Sequence, residues 1–403
     1  MQSIMNVNVN KLTLCLSLIF IATGIERFWG NFDRLPTLIK ILFSCLIYFS
    51  FFLFSYRTIR ISRKKFNNTA YWLLFSLVVF IVIGLFQGLN YDGIIIGNKY
   101  ITLFFKETAW MILFPPLFAF LVIKKQLWYQ MWKLVFVYAI YATICLLIGK
   151  FNISCSLIPI IPVFYYYCKG FKRLLLIATF IGVLITGFSG ARTYFVLSSF
   201  AILSIFNYYL NLKKWFLTIY IVVIFILPFG LFTYSLANQT SVFELMSNYS
   251  SNENLVADTR TFLYKELAED LTTTDSWFTG KSVIGRYFSP YFFHLKTEGG
   301  DSMWRIGSEV TILNFLLKEG LIYVIIYLLT FIIAIHSAIN QGRNRFVKSI
   351  AIMLSGIYFN LFIGDMLGCN LFHLCYWLMI GTCFSKKWLN MTDQEVKMYF
   401  KQA

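Results

Sequence analysis

Four arginines stand where their spacing and surroundings could hold an anion. Arg192, in TGFSGARTYFVLSSF, is the only charge between Arg173 and Lys213. Arg260 sits in DTRTFLYKELAEDL just after Asp258, a good N-cap. That places it in the first turn of an expected helix, where free N–H groups and the helix dipole already favour negative charge. Arg286 lies with Lys281 in the glycine-containing turn WFTGKSVIGRYFSP, and Arg305 in DSMWRIGSEVTILNFLLKEGLI. Guanidinium stays charged and grips phosphoryl oxygens bidentately, so the chemistry these residues suit is recognition of a phosphate or diphosphate. The simpler accounts are a snorkelling interface anchor for Arg192 and surface pairing of Arg260 with Asp258 or Glu253. A second set, Lys106, Glu107, Asp365 and His373, with Glu26 and Arg27, consists of ionisable groups within or at the ends of apolar segments. Such groups face a wet cavity or one another; a local Lys106–Glu107 pair is the alternative to a shared cavity.

Two other patterns are set aside. Gly280-Lys281-Ser282 mimics the end of a phosphate-binding loop, but Asp275 occupies the position of that motif's first glycine. Cys369, His373 and Cys375 have no paired CxxC partner, so no zinc site is expected. The eight cysteines avoid the one long polar segment, which argues against a disulfide framework.

The elements that position these residues follow from composition. With 59% hydrophobic and 13% charged residues, and a mean hydropathy of +0.69, a soluble globular protein is excluded. An all-α polytopic membrane protein of about twelve transmembrane helices is expected. Apolar windows fall at 11–29, 35–56, 70–89, 101–123, 130–149, 154–168, 173–189, 193–212, 215–236, 319–338, 349–367 and 370–385. The sixth is short and proline-interrupted, hence tilted or partly re-entrant. The run around Arg192 is roughly 60 Å as one helix, about twice the hydrocarbon thickness. It must therefore fold back, and Ser189-Gly190 is the small, permissive pair near its middle. The first apolar segment lacks a cleavage signature, so no cleavable signal peptide is expected.

Every second connection is basic: Arg57 to Lys65, Lys124-Lys125, Lys169 to Arg173, Lys213-Lys214, Arg343 to Lys348, and Lys386-Lys387. Only two of the 18 acidic residues, Asp393 and Glu395, fall on that side. The positive-inside rule makes it cytoplasmic, with both termini, and makes the +17 charge a topology signal rather than a nucleic-acid one. The chain then divides into spans one to nine (1–236), an extracytoplasmic loop subdomain (237–306), an amphipathic re-entry with spans ten to twelve (307–385), and a cytoplasmic tail (386–403). Arg192 and the long loop share the extracytoplasmic face. The loop's aromatics, among them Trp277, Tyr287 and Trp304, predict order rather than a flexible linker. Cations at one depth beneath a covering loop suit a lipid-anchored phosphate or diphosphate.

At this point TGFSGART at a helix junction, the large loop after a ninth span, and the re-entry pattern SEVTILNFLLKEGLI resemble the O-antigen polymerase and O-antigen ligase superfamily, bacterial inner-membrane glycosyltransferases of the GT-C type. The resemblance covers most of the chain as architecture and about 40 residues as motif. It implies metal-independent, cofactor-free, inverting transfer of a glycan from undecaprenyl diphosphate to an acceptor hydroxyl on the periplasmic side. For a polymerase of O-antigen or capsular repeat units the acceptor is the incoming lipid-linked unit; the implied partners are these lipid-linked glycans, membrane lipids and a chain-length regulator. By motif the diphosphate arginines are Arg192 and, in the loop, Arg260. Ligase-like members carry a histidine about eleven residues before the re-entry glycine; counting back from Gly320 gives Glu309. A carboxylate can take the hydroxyl proton, so Glu309 is the preferred base, with Asp301 and His294 in reserve. The missing histidine favours a polymerase over a ligase. A flippase or secondary transporter is the competing class, though no internal repeat is evident.

Overall fold

The computed structural model describes residues 13, 16–24, 58–59, 61–89, 115–124, 126–189, 192–210, 212–238, 261–290, 304–366 and 370–401. These residues are mainly helical: α1 (Asn68–Leu89), α2 (Leu127–Leu147), α3 (Ile161–Tyr165), α4 (Phe171–Phe188), α5 (Arg192–Leu210), α6 (Lys214–Asn238), α7 (Thr261–Thr273), α8 (Thr311–Gln341), α9 (Arg345–Asn360), α10 (Leu371–Phe384), α11 (Lys386–Asn390) and α12 (Asp393–Lys401). Five helices among the described residues are long and apolar enough to cross a membrane, namely Asn68–Gly88, Leu127–Leu147, Phe171–Phe188, Thr193–Leu210 and Thr311–Gln341. Two shorter apolar helices, Lys214–Gly230 and Leu371–Phe384, accompany them.

Several expected spans take another form. The sixth window is a 3-10 segment, Phe151–Leu157, followed by the single short helix α3. Pro159 and Pro162 explain this, since each removes an N–H donor and fixes φ. The described end of the fourth window is likewise a 3-10 segment, Pro115–Ile123, opening on two prolines. The eleventh ends early, at Asn360, in a tight turn. The second window lies outside the described residues, and the first is described only in part.

The fold-back around Arg192 is present as α4 ending at Phe188 and α5 beginning at Arg192. Helix α5 packs along α9 through polar contacts inside an apolar interface. The Ser204 hydroxyl donates to Ser349 O (2.9 Å), the Ser349 hydroxyl to Ser204 O (3.1 Å), and Asn207 Nδ2 to Ser349 Oγ (3.0 Å). Small residues and interhelical hydrogen bonds supply cohesion where lipid offers no hydrophobic drive.

The basic connections meet at one end of the molecule. Phe66 bridges Ser385, Asn67 Nδ2 donates to Gln341 Oε1 (3.0 Å), and Arg343 N donates to Leu389 O (2.9 Å). Arg345 Nη1 donates to Tyr208 O (2.6 Å), and its Nε lies 3.6 Å from Asp393. The tail helix α12 inserts Phe400 against Trp132, Phe164, Tyr167 and Phe346. One aromatic cluster thus ties the tail helix to α2, α3, the turn after it and α9.

At the opposite end α8 is broken. Gly320 adopts φ 79°, ψ 179°, so Thr311–Glu319 and the segment from Leu321 are two helical pieces. Residues 277–281 clamp this break: Lys281 N donates to Leu317 O (2.7 Å) and Leu321 N to Trp277 O (2.8 Å). Gly280 also has positive φ, and a Cβ on Gly320 would lie 2.2 Å from Phe278 O. Only glycine fits at the crossing.

Candidate active site

The sequence motifs converge on the turn after α9, residues 361–366. The re-entry segment reaches it first. Thr311 donates to Gly364 O from both its N–H (3.0 Å) and its hydroxyl (2.9 Å), and that hydroxyl accepts from Met366 N (2.6 Å). Ile312 N donates to Leu361 O (3.0 Å). Helix α7 reaches the same turn through Tyr264, whose hydroxyl donates to Phe362 O (2.6 Å). Thr193, immediately after Arg192, lies over Gly364, with Oγ1 2.6 Å from where a Cβ would stand. His373 Nε2 bonds Met366 O, and Nδ1 lies 3.0 Å from Asn370 Oδ1. One short turn therefore gathers the beginnings of α5 and of α8, a side chain of α7, and the first turn of α10.

Helix α7 is held there by its apolar stripe. Leu263, Leu267 and Leu271 are all buried, at a gain of about 1.5–3 kcal/mol each. Beyond it, β1 (Tyr287–Phe288) pairs antiparallel with β2 (Trp304–Arg305), Tyr287 opposite Arg305. This hairpin sets Arg305 beside Glu309, Nη2 to Oε1 3.8 Å, with the Glu309 side chain half exposed. Burial pushes the Tyr287 phenol up to about 12; Arg305 opposes the shift, while Glu266 and Glu309 add to it. The Nε of Arg286 is enclosed without a hydrogen-bond partner. Arg305, Tyr287, Glu266 and Glu309 thus form a compact group of mixed charge with a carboxylate open to solvent.

Two nearby lysines serve the fold. Lys281 pairs with Asp270, both side chains largely buried, and Asp270 Oδ1 also accepts from Phe288 N (3.2 Å). Lys318 is buried and donates to Gly285 O (2.6 Å). The lysine of the Gly280-Lys281-Ser282 sequence is therefore a strut between α7 and the segment after it.

Of the residues singled out in the sequence, Arg305 and Glu309 are brought within 3.8 Å of each other, and Arg286 directly precedes β1. Arg192 begins α5 at the convergent turn. Asp365 lies exposed in that turn, while His373 is buried against it. Arg260, Asp301, His294, Lys106 and Glu107 lie outside the described residues. Sequence reasoning missed Asn360, Thr193, Thr311 and Tyr264, all polar side chains at helix ends. Their common signal is a hydroxyl or amide just where an apolar run stops.

A separate groove of about 430 Å³, lined by Phe20, Gly24, Val137, Tyr138 and Tyr141, is almost wholly apolar. It has no acid–base pair and lies between residues 17–24 and α2. The chain matches no protein-family model, no curated protein and no solved structure.

Proposed function

We propose that this protein is a bacterial inner-membrane glycosyltransferase that polymerises undecaprenyl-diphosphate-linked oligosaccharide repeat units, with about twelve spans and its active site on the periplasmic face. The observation that carries this reading is the convergence on residues 361–366 of the Arg192 helix start, the α7 helix and the re-entry segment bearing Glu309. The end of the molecule where they meet is opposite the basic end, as the positive-inside rule requires of a periplasmic site.

In the reaction the acceptor hydroxyl oxygen attacks the anomeric carbon of the donor. The bond from that carbon to the diphosphate oxygen breaks, and the diphosphate leaves with the electron pair. Arg192 and the α5 N-terminus hold the charge building on the leaving group, aided by Arg260, Arg286 and Arg305; donors aimed at developing charge are among the largest catalytic contributions. The hydroxyl proton passes to Glu309, whose carboxylate Arg305 orients from 3.8 Å. No metal or cofactor takes part in this scheme.

The test is direct. Purified protein given lipid-diphosphate oligosaccharide in chelator should lengthen the glycan, and Glu309→Gln should stop it. Failure of the wild type to lengthen any such substrate overturns the reading.

A further inference from the structure

The stretch between Glu107 and Glu244 holds no acidic residue, yet it gathers Lys169, Lys172 and Arg173 at the start of α4 and Lys213 and Lys214 just after α5. Tyr166 stacks on Tyr208 (4.7 Å between ring centres), which fixes the end of α5 beside the turn into α4. The four lysines are exposed and Arg173 is half-buried. Arg173 differs from the lysines in what it touches. Its Cζ lies 5.0 Å from the centre of the Tyr165 ring, and its Nε has no hydrogen-bond partner. Among the described residues no carboxylate pairs with it. Lys172 leans instead over Trp132 and Phe136, 5.4 and 5.1 Å from their ring centres.

Tyr165 is also part of the wall of an apolar groove of about 220 Å³. The sequence spacing builds this groove. Leu176, Ile177 and Phe180 follow Arg173 at i+3, i+4 and i+7, so they continue its face of α4. Ile202, Ile205 and Phe206 form the facing stripe of α5, and Ile161 of α3 completes the lining. Ile177, Ile202 and Phe206 are exposed, so the groove opens on the outer surface of two helices that are long and apolar enough to cross a membrane. A guanidinium with an unmet donor thus stands at the end of an open apolar channel.

We propose that Arg173 and this groove hold one anionic glycerophospholipid, with an acyl chain between α4 and α5 and the phosphate on the guanidinium. The site is at the basic end of the molecule, opposite the candidate active site, and does not depend on the transferase reading. The groove decides for a lipid over a free phosphate, which would leave the apolar walls uncovered. The surrounding charge decides the headgroup. A zwitterionic lipid brings its own ammonium among four lysines, whereas an anionic one supplies the counter-charge that this part of the chain lacks. An arginine at the point of contact suits the bidentate grip that phosphate takes.

The test titrates lipid into the detergent-solubilised full chain and counts bound lipid by native mass spectrometry. The probes are dioleoyl phosphatidylglycerol and dioleoyl phosphatidylcholine, which differ only in the headgroup. Wild type should hold the first about 10-fold more tightly, the scale of one hydrogen bond to a charged group. Arg173→Gln should remove most of that ratio. Ile202→Trp, which fills the groove from α5 and keeps every cation, should do the same, and it covers the case in which Arg173→Gln fails to fold. Lys386→Gln, an exposed cation of another basic connection, should leave the ratio intact. Soluble glycerol 3-phosphate should not displace the lipid. Equal binding of the two lipids to wild type, or a ratio preserved in either folded groove variant, overturns the proposal. So does displacement by glycerol 3-phosphate, which would show an anion site without the groove, or an equal loss in Lys386→Gln, which would show diffuse attraction to the whole basic end.

Discussion

Helix α9 carries a buried asparagine at each end, and the two are treated in opposite ways. Asn344, at the basic end, is the N-cap. Its Oδ1 accepts from Val347 N (2.9 Å), and its Nδ2 donates to Trp388 O and Met391 O (2.8 Å each). Asn360, at the other end, bonds to nothing through its side chain. The basic end pairs Arg345 with Asp393 and with Tyr208 O but leaves Arg173 Nε unmet, and the opposite end leaves Arg286 Nε unmet and Glu309 half exposed, so the contrast lies in the two asparagines. A polar group whose hydrogen bonds are all made is spent on the fold. One whose bonds are unmade costs stability.

The comparison can be broken at four points. The largest effect belongs to Arg192→Ala, which should lower polymer synthesis by about 100-fold or more, the scale of losing one leaving-group contact. Arg192→Lys should recover only part, because lysine lacks the bidentate fork. Chain-length ladders on gels read both, and normal ladders from Arg192→Ala would end the assignment. Next is Lys281→Ala, which leaves Asp270 buried and uncompensated in the outer loop. It should destabilise by about 3–5 kcal/mol and open the loop to protease before the membrane helices melt.

Smaller still, Asn344→Ala removes a cap and strands two carbonyls, a loss of about 2 kcal/mol. Activity per folded molecule should not change. Set beside Asn360→Leu, it should move melting temperature in the opposite direction; the same sign for both would dissolve the contrast between the two ends. The smallest effect is in pH. The Tyr287 phenol ionises near 10 when unfolded and near 12 when folded, so the native state keeps its proton longer. Its contribution to stability is intact below pH 10 and is lost as pH rises through the folded value. Tyr287→Phe should flatten the stability profile between pH 10 and 12, as followed by loop-specific fluorescence.

What was readable in the chain was whatever depends on local periodicity and charge. Leu263, Leu267 and Leu271 announced one face of α7, and Ser189-Gly190 announced the fold-back before Arg192. The basic connections announced that they would share an end. Hydropathy windows failed where backbone geometry overrides apolarity, as at Pro115-Pro116 and around Pro159 and Pro162, where 3-10 turns replace expected helix. The tenth window began at 319, beside the break at Gly320, although the positive φ itself leaves no trace in a hydrophobicity average. The convergent turn could not be seen at all. Thr193, Tyr264 and Thr311 come from separate segments, and nothing about each alone says that it will meet residues 361–366. Asn360 fell unremarked inside the eleventh apolar window, since its lack of partners is a property of the surrounding fold.

The clamp at Gly320 has a mechanical corollary. Residues 277–281 are stitched to α8 on both sides of its kink, so this segment and the long apolar helix share a hinge. A polypeptide severed just after Pro290 would still be gripped through these stitches and the Lys318–Gly285 bond. The two pieces, synthesised separately, should therefore find each other and reassemble, as complementing fragments do.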